Sequence, residues 1–179
     1  MKLGIIVASA RPNRVGAHVA RWVEGTVDPT WDIDLIELGE VALPAFDEPA
    51  SPKSGAEKNT PHARSWGRRI GALDAAVIVT PQYNGSYPGA LKNAVDFLWE
   101  EWNDLPVALV GYGWGAANEV LPLLETLMGR VGADVVGSVG LGFREDLLVE
   151  GELFVREDTA TRLGEIVAAL QAETPAAVS

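Results

Sequence analysis

The chain has 179 residues, 47% of them hydrophobic and 22% charged, which is ordinary for one globular domain able to bury a core. With no cysteine and only His18 and His62 as imidazoles, it has no means of building a disulfide framework, a thiolate nucleophile or an iron–sulfur centre; no metal site is expected, and any redox chemistry would need an organic cofactor. The net charge of −11 argues against nucleic acid as a partner, yet residues 1–22 contain Lys2, Arg11, Arg14 and Arg21 and no acid, an island suited to a small anion.

In chain order, residues 2–8 are a continuous apolar run, the pattern of a parallel strand covered on both faces. Residues 15–24 carry Val15, Val19, Trp22 and Val23 at helical spacing, with Gly25 as a stop. Residues 31–38 alternate like a strand nearer an edge. The Pro-, Ser- and Gly-rich stretch 39–60 reads as a flexible loop or a functional lid. Thr60 and Pro61 form a cap and first helical residue for a helix to about Gly71. A buried strand is expected at 75–80, a helix over 88–102, a strand at 106–110 and a helix over about 118–129. A fifth strand at 134–139 and a helix over 158–171, capped near Asp158 or Thr159, complete the list. Residues 1–171 thus read as one domain, and 172–179 as a frayed tail. No stretch approaches the roughly 18 apolar residues of a membrane span, so neither a membrane nor an export signal is expected and the cytoplasm is the default compartment.

Five strands alternating with helices predict a three-layer α/β/α sandwich on a parallel sheet, whose ligands sit beyond the carboxyl ends of the strands. Three loops there stand out. Between the first strand and helix, Ser9, Asn13 and the N–H groups around Val15 and Gly16 can donate to an anion, and Arg11 and Arg14 can add charge-assisted bonds. A capping serine with two exposed arginines is the plainer reading. The loop fits neither GxxxxGK(S/T) nor GxGxxG. After the third strand, Pro81 and Pro88 stiffen a segment in which Tyr83 and Tyr87 offer flat surfaces and Asn84 both donates and accepts; a planar heterocycle such as an isoalloxazine would suit it, as would an ordinary turn. After the fourth strand, Gly111, Tyr112 and Gly113 begin a glycine-rich loop that could wrap closely around a ring.

The run Pro81-Gln82-Tyr83-Asn84-Gly85-Ser86-Tyr87-Pro88-Gly89-Ala90-Leu91-Lys92-Asn93-Ala94-Val95-Asp96 closely resembles the P-E-Y-N-x-S-x-P-G-x-L-K-N-A-(I/V)-D signature of the NADPH-dependent FMN reductase family, and Ser9-Ala10-Arg11 with Arg14 resembles its G-S-x-R phosphate loop. The resemblance implies a flavodoxin-like sheet of order 2-1-3-4-5. It also implies FMN as cofactor, with its phosphate on Ser9, Arg11, Arg14, Val15 and Gly16 and its ring along Pro81, Gln82, Tyr83 and Asn84, the pyrimidine edge near Gly111 and Gly113. NADPH or NADH would be the hydride donor, with the flavin carrying the hydride so that no side chain need act as acid or base for that step. A small-molecule electron acceptor such as free FMN, a quinone or an azo compound would complete the cycle, in a homodimer or homotetramer with the active site near the interface. Leu98, Trp99 and Trp102 either belong to that interface or face the sheet.

Two departures from the pattern bear on the site. Ala8 replaces a glycine before Ser9, and Gln82 replaces the usual glutamate, which is harmless if that position meets the ring through its backbone. The rival readings are a flavodoxin-type electron carrier or redox-sensing flavin module, and a flavin-free nucleotide-binding protein on the same fold.

Overall fold

The strongest apolar runs occupy the middle of the sheet. In the computed structural model, which describes residues 1–174, β1 (Lys2–Val7) and β3 (Ala75–Pro81) lie side by side, flanked by β2 (Asp32–Glu37) and by β4 (Pro106–Gly113) and β5 (Asp134–Gly142). All neighbours are parallel and the order is β2-β1-β3-β4-β5, as the resemblance implied. Side chains alternate across the sheet. Leu3, Ile5, Val7, Val77 and Val79 enter one core beneath α1 (Gly16–Glu24). Ile6, Ile36, Ile78 and Leu109 enter the other. The last helix, Glu157–Glu173, joins the first core through Leu163, Ile166 and Leu170.

Between β2 and β3 the chain is more structured than a lid. It forms a short helix α2 (Leu38–Val41), a 3-10 turn (Pro52–Ser54) and then α3 (Pro61–Ile70), which is capped as its sequence suggests by Thr60, whose hydroxyl accepts from Ala63 N at 3.3 Å. The Glu48 carboxylate gathers Asn59 N (2.7 Å), Thr60 N (2.8 Å) and the Thr60 hydroxyl (2.6 Å). Asn93 clamps the start of the stretch, donating to Pro44 O at 2.7 Å and accepting from Phe46 N at 3.0 Å.

Several expected boundaries move. The helix read over 88–102 is α4 (Gly89–Asp96) followed by a separate 3-10 turn (Glu100–Trp102). Phe97 and Leu98 are both fully buried, and successive residues of one helix point about 100° apart, so leaving the helix lets each find its own core site. Leu98 and Trp102 are sealed in the core and Trp99 is half-buried, so the first two face inward and are no interface residues. α5 (Val120–Arg130) tolerates Pro122 within its first turn. α6 (Glu157–Glu173) begins one residue before Asp158, after Arg156 and without a side-chain cap, and it continues through Ala172 and Glu173 where a frayed tail was expected; residues 175–179 lie outside the described residues. Among the described residues no helix is long and apolar enough to cross a membrane.

Candidate functional site

The chain passes from β1 to β2 on one face of the sheet and from β2 to β3 on the other, so the loops after β1 and β3 part at their carboxyl ends. A cavity of about 310 Å³ opens there. Arg11, Asn13, Arg14 and Val15 line it from the first loop, Pro81, Gln82 and Tyr83 from the second, and Tyr112 from the end of β4. Trp114, from the glycine-rich loop after β4, lines it too, and two lining residues carry no signal in the sequence motifs: Phe143 and Val149. The last two come from the segment after β5, and the closing glycines of that strand, Gly140 and Gly142, are the one hint that a loop must approach closely there.

The remaining expected site residues do not line the cavity. Ser9 is fully buried, and its hydroxyl meets no partner in good hydrogen-bonding geometry among the described residues, although the Tyr112 hydroxyl stands close enough to interact with it. Gly16 lies against it: a Cβ at Gly16 would overlap Ser9 Oγ and come within 3.0 Å of the Tyr112 hydroxyl. α1 starts without any side-chain cap, so its first N–H groups stay unpaired beside this hydroxyl. An orphaned hydroxyl, a bare helix N-terminus and a space only glycine leaves open fit an anionic group such as a phosphate. Burial pushes the Tyr112 phenol above its ordinary value, so it remains a neutral hydroxyl.

The two arginines of the first loop are held differently. Arg14 donates through Nε (2.9 Å) and Nη2 to the Glu37 carboxylate at the end of β2, and that hydrogen bonding raises its pKa. Arg11 has no carboxylate partner among the described residues and lies 3.8 Å from the centre of the Tyr83 ring. Of the pair, Arg11 is the uncommitted charge.

In the second loop, Tyr83 and Ser86 exchange backbone hydrogen bonds of 2.8 and 3.0 Å around Asn84 and Gly85, at φ of 50° and 76°. The Gln82 side chain ties the loop to the start of α5. Its Oε1 accepts from Glu119 N and Val120 N (3.1 and 3.2 Å), capping α5. Its side chain is thereby committed to the start of α5, and glutamine suits the cap because the Glu119 carboxylate lies 3.4 Å from its Nε2. The third loop begins later than expected. Gly111, Tyr112 and Gly113 are β4 residues; a Cβ at Gly111 would run into Ala117 and Leu121, and one at Gly113 would lie 3.1 Å from Gln82 Cβ. Both glycines serve packing between segments.

The sequence profile of the NADPH-dependent FMN reductase family matches residues 1–146. The chain belongs to that family. It is 37% identical over 153 residues to the NAD(P)H-dependent FMN reductase LOT6 of Saccharomyces cerevisiae, covering 79% of this chain and 80% of that one. It is 29% identical over 127 residues to a 2-hydroxy-1,4-benzoquinone reductase of Burkholderia sp, covering 68% and 65%. Among solved structures it is similar to the flavoenzyme NAD(P)H:(acceptor) oxidoreductase FerB from Paracoccus denitrificans, with a TM-score of 0.70 at 22% identity over 97% of this chain and 96% of that one, a likeness of fold.

Proposed function

We propose that this chain is an NAD(P)H-dependent reductase that holds FMN at the carboxyl ends of β1, β3 and β4. The observation that carries the placement is the buried Ser9 hydroxyl beside the uncapped start of α1, whose Val15 borders a cavity walled by aromatic rings. Bound FMN would supply a two-electron carrier between a nicotinamide and an acceptor. The chain's own residues then have separable tasks. Ser9 and the N–H groups from Val15 and Gly16 onward hold the phosphate, and Arg11 adds a charge-assisted bond. Arg14, anchored on Glu37, fixes the course of the loop with Asn13 at its rim. Tyr83, Pro81 and Gln82 border the ring, with Asn84 behind them in the turn, while Tyr112, Trp114 and Phe143 keep bulk water from the far side.

The acceptor is a small molecule, and the quinone named for the Burkholderia relative indicates its class. A homodimer or homotetramer in the cytoplasm belongs to the same proposal, to be tested by light scattering and cell fractionation. The decisive experiment adds FMN to purified protein, removes free flavin by gel filtration and follows the visible flavin band on anaerobic addition of NADPH or NADH. A retained yellow species bleached by at least one donor is expected. Retention without bleaching by either would leave only an electron carrier, and no retention would remove the cofactor.

A further inference from the structure

Past Gly113 the backbone turns left-handed for three residues, Gly115, Ala116 and Ala117, at φ of 64°, 52° and 59°. Alanine disfavours this region, so the turn must be held from outside. Gly140 does so from β5, since a Cβ there would overlap the Ala116 carbonyl. Gln82 does so by capping α5 just beyond the turn. Across the cavity mouth, Arg144 is also left-handed, at φ 68°. Its turn is fixed by Asp146, whose buried carboxylate accepts from Gly142 N (2.9 Å) and from Arg156 Nε (3.1 Å) and Nη2 (3.0 Å).

The two strained turns meet on one side chain. Trp114 is 56% exposed, whereas the chain's other tryptophans are buried or half-buried. Phe143 braces its ring edge-on at 5.5 Å, and the Arg144 guanidinium stands 5.4 Å from its centre. The acids nearby are engaged: Glu145 faces Arg156 at 3.5 Å and Glu119 lies on Gln82. Arg144 has no carboxylate partner among the described residues. In a protein of net charge −11 the cavity mouth thus offers a rigid indole plate beside a free guanidinium.

We infer that Trp114 and Arg144 form the acceptor subsite and select planar aromatic acceptors carrying a negative charge, quinones with an ionised ring substituent; this rests on the reading of the cavity as the redox site. The ring stacks on the indole and the substituent meets the guanidinium. The reaction balances as quinone plus NAD(P)H plus a proton giving hydroquinone plus NAD(P)⁺, the substituent unchanged. The test measures binding without turnover. FMN-loaded, oxidised protein is titrated, with no nicotinamide present, with 1,4-naphthoquinone-2-sulfonate and with neutral 2-methyl-1,4-naphthoquinone.

Wild type should bind the sulfonate more tightly. Arg144→Gln should raise its Kd about five- to tenfold with less than a twofold change for the neutral quinone, Arg144→Lys should recover part of the loss, and Trp114→Ala should weaken both. Equal affinities in wild type, or Arg144→Gln moving both Kd values together, would overturn the inference. A wild type that keeps FMN but fails this test overturns the subsite alone. One that discriminates the two quinones without retaining FMN overturns the cofactor placement alone.

Discussion

Two irregular segments border the same end of the sheet, and they treat their polar groups in opposite ways. In the stretch between α2 and α3 nearly every polar group has found a partner: Glu48 collects two N–H groups and a hydroxyl, His62 Nε2 lies 2.9 Å from Asp47, and Asn93 reaches across to close the start. Between β1 and α1 the Ser9 hydroxyl is buried without a partner, α1 begins uncapped and Arg11 rests on a ring. A buried polar group without a partner costs more than an ordinary hydrogen bond contributes, so it persists where something else completes it. The first segment satisfies its own polar groups and the second does not, although both look equally irregular as sequence.

The sharpest way to break this contrast is to cut the clamp. Asn93→Ala removes both of its hydrogen bonds to the chain at Pro44 and Phe46 and should cost about 1–3 kcal/mol in urea unfolding of the FMN-free protein, while FMN affinity changes by less than about twofold. Lost FMN binding at unchanged stability would make the stretch part of the ligand site. Ser9→Ala should do the reverse. FMN Kd should rise about tenfold, worth ~1.4 kcal/mol, while the FMN-free protein melts at the same temperature or slightly higher because an unsatisfied hydroxyl has gone. A drop in melting temperature with FMN affinity intact would reassign Ser9 to the fold.

The sheet was legible because its signal is local. Residues 2–8 and 75–80 are unbroken apolar runs, and such runs occupy central parallel strands whatever the loops do. That Arg11, Arg14 and Tyr83 would border one cavity was legible because spacing within a motif survives folding. What depends on register was hidden. Arg14 meets Glu37 only because β1 pairs with β2 so that Val7 faces Glu37, and no pattern along the chain announces that. Asn93 and Gln82, both inside the signature run, turn out to hold neighbouring segments, so a motif marks residues that matter without saying for what. Phe143 and Val149 reach the cavity from a segment without a motif, after a glycine, Gly140, that makes room for Ala116 of the neighbouring loop.

The smallest expected effect follows from acid. Hydrogen bonds from Asn59 N and from the hydroxyl and N–H of Thr60 hold the Glu48 carboxyl down to about 2, against 4.5 for the free group. A carboxylate whose folded pKa is depressed contributes its stability in full above the unfolded value and loses it as pH falls through the folded one. The Glu48 contribution should therefore be complete above about pH 4.5 and fade from there toward pH 2. Glu48→Gln, which keeps the shape and removes the titration, should be less stable than wild type at neutral pH, and the gap should narrow steadily across that window. Taking the difference between the two proteins cancels other depressed carboxylates such as Asp34, held down chiefly by Arg69. A gap independent of pH would mean that the carboxylate charge does not hold the stretch in place, and the segment would then be as open to ligand as the loop after β1.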